Sequence, residues 1–140
     1  MSAVPFARVT KRGNVELVQS AIAAYNRRDV AALCELMSPD VNLRPPVFAL
    51  TGRAYLGHAG IAEWLRDVDE SFSTAQIHPI DLRDLGDRVL ALTSFEVEGQ
   101  ESRLAFGSEL GLVCEIAGGR IATWFGFFNH AEAIAAAEGR

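Results

Sequence analysis

Hydrophobic positions recur at helical spacing through the first half of the chain and at every second residue through much of the rest. Val15, Val18, Ile22 and Tyr25 share one side of a helix expected over residues 14–28, with Asn14 placed to cap its start. Asp29 is placed to cap a shorter helix carrying Ala31, Ala32, Leu33, Leu36 and Met37. Ser38-Pro39 should stop it, because proline cannot continue the hydrogen-bond ladder. A third helix is predicted within residues 55–72, where Ile61, Trp64, Leu65, Val68 and Phe72 make an apolar face opposite Glu63, Arg66, Asp67, Asp69 and Glu70. Gly57 and Gly60 flank His58 and fit a chain reversal that opens this helix.

Between the helices, VNLRPPV reads as a short extended run that Pro45-Pro46 confines to a sheet edge or an irregular margin, and residues 50–53 as a turn or short strand. Beyond Ser73 the period falls toward two in IHPIDLRDL, RVLALTSFEVEG, SRLAFGSELGLVCEI and RIATWFGFFN. Gly86-Asp87, Gly99-Gln100 and Gly118-Gly119 separate these runs as hairpin turns, so an antiparallel meander is expected. Asn129 and Glu132 resemble a capping box for a terminal helix over residues 131–138, ended by Gly139. The sum is a single α+β domain over residues 1–140, with 1–12 a loose N-terminal segment and helices covering one face of the sheet.

Composition narrows the function classes. A net charge of -5 and a pI near 5.1 argue against nucleic acid, whose binding needs clustered Lys and Arg. Lys11-Arg12 and Arg27-Arg28 are only pairs and read as solvated surface. Cys34 and Cys114 sit in apolar stretches, too few for a disulfide framework, which points to a reducing, cytoplasmic setting. No apolar run approaches the length of a membrane span or a signal peptide, so no membrane partner is expected. There is no Walker loop, dinucleotide fingerprint or Ser-centred elbow, and His58, His78 and His130 lack metal-ligand spacing; neither a cofactor nor a metal is expected.

The chain resembles the nuclear transport factor 2-like superfamily, and within it the SnoaL-like domains. The resemblance rests on SPDVNLR after the helix pair, YLGHAGIAEWL at the third helix, LGDRVLALTSFEVEG across a hairpin, and AGGRIATWFGFFNHAEAIAAAEG at the end. It covers nearly the whole chain. It implies a cone-shaped, cystatin-like fold in which a curved antiparallel sheet wraps around the N-terminal helices. It also implies a small hydrophobic or aromatic ligand in a hydrophobic pocket, and a homodimer formed through the outer sheet face.

The resemblance also frames the chemistry. Ketosteroid isomerases of this superfamily need a carboxylate base just before a proline on the first strand, a tyrosine on the first helix and a protonated acid. The matching positions here are Arg44 before Pro45, Ala21, and a residue within 110–112 of an apolar strand. Arginine accepts no proton at ordinary pH. Leu112 stands where many polyketide cyclases of the group have histidine, and Asp84 and Asp87 fall at a turn rather than in a pocket. No catalytic residue is therefore assigned.

Strand parity puts Val89, Ala91, Thr93, Phe95 and Val97 on one face and Leu90, Leu92, Ser94, Glu96 and Glu98 on the other. The resemblance makes the first set inward and offers the second as a dimer face. Trp124, Gly126 and Phe128 are expected to share the cavity face of the last strand. The candidate ligand pocket is Tyr25, Arg44, Trp64, Thr93, Phe95, Leu112, Trp124 and Phe128, with Arg44 able to hold a carboxylate or enolate. The leading expectation is a small-molecule-binding domain; a cyclase or isomerase-like enzyme and a structural or assembly dimer module are the alternatives.

Overall fold

The computed structural model of the chain describes residues 13–46, 51–99 and 105–139, with the backbone alone for 105–107. The expectations for residues 1–12, Val47, Leu50, Gln100 and residues 102–104 lie outside that range. Helix α1 spans Asn14–Arg27 and α2 spans Val30–Leu36. Strands β1 (Met37–Arg44) and β2 (Tyr55–Leu56) precede helix α3 (Gly57–Ser71). Four long strands follow: β3 (Phe72–Asp84), β4 (Arg88–Gly99), β5 (Ala105–Ala117) and β6 (Arg120–Phe127), before helix α4 (His130–Ala137).

The strands form one curved, unclosed sheet in the order β2-β1-β6-β5-β4-β3. The meander is antiparallel throughout, as the turn spacing requires. Gly118 and Gly119, with φ of 61° and 78°, make the two-residue β5–β6 turn in a conformation that costs other residues energy. The sheet is mixed rather than purely antiparallel, because β1 joins β6 in parallel, with Leu43 beside Trp124 and Arg44 beside Phe125.

Helices α1, α2 and α3 pack on the concave face. Val18, Ile22, Leu33, Ile61 and Leu65 meet Val41, Leu43, Val89, Ala91, Leu112 and Ile121 there in one buried cluster. Burying each large apolar side chain of this set contributes about 1.5–3 kcal/mol before conformational entropy is subtracted. The expected inward parity of β4 holds, with Val89 and Ala91 in this cluster and Phe95 packed against it.

Two local expectations change. Asn14 does not cap α1; Gly13 precedes the helix, and the Asn14 amide instead donates to the Gly86 carbonyl at 2.9 Å, tying the helix to the β3–β4 turn. Met37, read as helical, opens β1, and Ser38-Pro39 lies within that strand. Two caps stand as read. Asp29 accepts from the Ala32 N–H at 3.0 Å, and Asn129 from the Glu132 N–H at 2.8 Å.

The convex face carries the larger departure. Helix α4 lies across it, and Leu90, Leu92 and Val113 are buried beneath Ala133 and Ala137. Helices thus occupy both faces, not one. The apolar centre expected to meet a second subunit is filled by the chain's own C-terminal helix. Gly111 makes this docking possible, since a Cβ there would overlap the Ala133 methyl.

One edge of the sheet is finished by helix α1. The Asn26 side chain donates to the Ile77 carbonyl and accepts from the Ile77 N–H, each at 2.9 Å, while Arg28 donates to the Ala75 carbonyl at 2.9 Å. Those β3 groups point away from β4 and would otherwise be open to another strand.

Candidate functional site

The groove sits where β1 stops and β6 runs on. Pro45 and Pro46 carry no backbone N–H, so β1 cannot continue its pairing along β6 past Arg44. The space left beside β6 is a cavity of about 230 Å³ lined by Arg44, Pro45, Pro46, Phe125, Gly126, Phe127, Phe128 and Glu132.

Register fixes the orientation of Arg44, the one cation among the described residues that line it. Arg44 pairs with Phe125, and Phe125 with Val113, which lies under α4. Arg44 therefore belongs to the convex side of the sheet, and its guanidinium carbon stands 4.7 Å from the Phe125 ring centroid. Stacking on a ring leaves the in-plane N–H donors of an arginine pointing sideways, the direction in which a carboxylate is met. Glu132 faces the groove from the first turn of α4. Phe128 follows β6 and is 53% exposed, unusual for a phenylalanine.

The eight residues expected to form one pocket separate into two groups. Arg44 and Phe128 line the groove. Tyr25, Trp64, Thr93, Leu112 and Trp124 are buried in the concave core or against it, and Phe95 is partly buried beside them. Tyr25 stacks on Trp64 at 5.1 Å between centroids, and Trp64 meets Trp124 edge-on at 5.8 Å. The Thr93 hydroxyl is spent on the Leu110 carbonyl at 2.7 Å. Phe128 is beyond the end of β6 and does not continue the inward row of Trp124 and Gly126.

Sequence reasoning missed Pro45, Pro46, Phe125, Phe127 and Glu132. The signal was the run FGFFN, which places aromatic residues on both strand faces, so a one-face cavity could not use them all.

The titratable groups elsewhere are engaged structurally. Burial pushes the Tyr25 phenol up to about 12, despite the nearby Arg28 that favours its ionised form. Burial also raises Tyr55 to about 12, helped by its hydrogen bond to Asp67 at 2.7 Å. Desolvation raises both cysteine thiols, which disfavours a thiolate nucleophile. His58 Nε2 donates to the Met37 carbonyl at 3.1 Å, and His130 Nε2 to the Thr93 carbonyl at 2.7 Å. His78 pairs with Glu96 on the exposed sheet face at 2.8 Å. Among the described residues no three His, Cys, Asp or Glu side chains gather as a metal site, and no helix is long and apolar enough to cross a membrane.

Residues 18–124 match the profile of the SnoaL-like domain family. Among solved structures, an NTF2-like protein of unknown function from Burkholderia pseudomallei superposes with a TM-score of 0.74 at 22% identity, covering 87% of this chain and 95% of that one. TerC, co-crystallised with polyporic acid, gives 0.73 at 23% identity, covering 90% and 98%. A Pseudomonas putida protein with a provisional polyketide cyclase name gives 0.72 at 21% identity, covering 84% and 92%. At these identities the likeness establishes the fold alone. No curated protein matches the chain.

Proposed function

Because the chain belongs to the SnoaL-like domain family, we propose that it is a small-molecule-binding domain whose hydrophobic pocket is the groove beside Arg44. The carrying observation is a 230 Å³ cavity that combines one stacked guanidinium with Phe125, Phe127 and Phe128. Pockets for drug-sized ligands span roughly 300–1,000 Å³, so a small aromatic molecule with a single ring suits this volume. Binding rather than catalysis is the reading because the positions that carry acid-base groups in isomerases hold Arg44, Ala21 and a residue within the uncharged run 110–112, and Leu112 stands where many cyclases of the group have histidine.

Shift mapping of labelled protein titrated with single-ring aromatic probes tests this. Perturbations should centre on residues 44–46 and 125–128, and Phe128→Ala should weaken binding about tenfold, the scale of one lost aromatic contact. Perturbations confined to other surfaces overturn the assignment. A cyclase or isomerase-like enzyme is the second reading, supported by a guanidinium able to stabilise an enolate. Turnover of an enone or polyketide probe, abolished in Arg44→Ala, would select it.

The same proposal makes the protein a cytoplasmic homodimer. Two free cysteines suit a reducing compartment. The outer sheet face beyond α4 keeps Ile80 64% exposed near the His78–Glu96 pair, a surface suited to a second copy. Light scattering that returns a monomer at micromolar concentration would remove the dimer; Ile80→Glu should convert a dimer to a monomer.

A further inference from the structure

Helix α4 starts with only half of its expected capping box. The Asn129 side chain accepts from the Glu132 N–H at 2.8 Å. Among the described residues the Glu132 carboxylate makes no returning bond to the Asn129 N–H, and it has no other hydrogen-bond or ion-pair partner there. Phe128 precedes the cap, where an apolar residue often packs down on the first turn, yet it is 53% exposed. Both residues line the groove. Arg44, the other charged residue lining it, lies over Phe125 and holds a further interaction of its own. The uncommitted charged group of the groove is therefore the Glu132 carboxylate, an acceptor set among aromatic rings. A carboxylate beside aromatic faces suits an ammonium, which gains charge-assisted hydrogen bonds from the oxygens and attraction from the rings.

We infer that the groove takes a small single-ring aromatic amine, its ammonium held by Glu132 and its ring against Phe127 and Phe128. This rests on the groove being the binding site. The like charge of Arg44 opposes the ammonium, but a contact pair outweighs a charge that the ligand need not touch, because Coulomb energy falls with separation. The preference is small, since Glu132 is exposed and water screens the pair.

Isothermal titration at low ionic strength with benzylamine, benzyl alcohol and benzoate, probes of similar size, reads the selection, and shift mapping locates each. Benzylamine should bind about threefold tighter than benzyl alcohol, the scale of an exposed ion pair, and benzoate weakest. Glu132→Gln keeps an acceptor and removes the charge, so it should bring benzylamine down to the level of benzyl alcohol and leave the alcohol unchanged. Added salt should shrink the same difference in the unaltered protein, a readout that needs no variant. If benzylamine and benzyl alcohol bind in the groove with equal affinity, if benzoate binds tightest, or if Glu132→Gln leaves the ratio unchanged, the amine assignment is wrong and the binding site stands. If no probe perturbs residues 125–128, both readings fall.

Discussion

Replacing Gly111 by alanine should loosen the last helix from the convex face. The added Cβ would occupy the space of the Ala133 methyl and lie 3.5 Å from the Asn129 carbonyl oxygen, so something must move. Complete release of α4 would expose Leu90, Leu92 and Val113, at about 1.5–3 kcal/mol each. Overpacking by one methyl group typically costs about 1–3 kcal/mol, which is less, so the helix shifts and stays docked. Alanine recovers about 0.5–1 kcal/mol through its better backbone entropy in a strand. The net loss should centre on about 1 kcal/mol. Urea unfolding followed by circular dichroism reads this as a lower midpoint with an unchanged slope.

Ala133→Gly supplies the decisive control. Alone it costs about 1 kcal/mol in helix propensity, yet it removes the overlapping methyl, so the double variant should be more stable than the sum of the two losses predicts. A neutral Gly111→Ala, or strictly additive losses in the cycle, would refute the docking argument.

Alkaline stability should depend on the buried phenols. Because the folded-state pKa of Tyr25 is raised from 10 to about 12, its contribution is complete below pH 10 and is lost as pH rises through 12. Tyr25→Phe should therefore flatten the fall in stability between pH 10 and 12, measured by denaturant midpoints across that range, and an unchanged slope would count against burial as the cause. At the sheet edge, Asn26→Ala removes two hydrogen bonds to Ile77 and should lower stability by about 1–3 kcal/mol. It should also increase concentration-dependent association by light scattering as the freed edge becomes available.

The parts legible in the sequence were those governed by neighbours. Ile61, Trp64 and Leu65 announce their shared face through spacing alone and are all buried. Gly118-Gly119 sets its hairpin locally, and Asn129 caps the helix three residues away. The parts that were not legible depend on partners far along the chain. Asn14 looked like a cap until Gly86 arrived as its acceptor. The face on which Arg44 lies follows from its alignment with Phe125 across a parallel ladder that no local pattern encodes. Leu90 and Leu92 displayed an apolar face correctly, but parity cannot say whether another subunit or the protein's own helix covers it. The nearest clue was the small pair Ala133 and Ala137, one turn apart, matching the gap left by Gly111.

The parallel pairing of β1 with β6 imposes an order on biogenesis. Met37 meets Ile121 and Arg44 meets Phe125, so the strand that emerges first from the ribosome waits for almost the last one. Until then Val41 and Leu43, both fully buried in the finished protein, have only the two-residue β2 beside their strand. The core thus closes only once β6 has been made, and until then the nascent chain passes through an interval in which chaperone capture competes with folding.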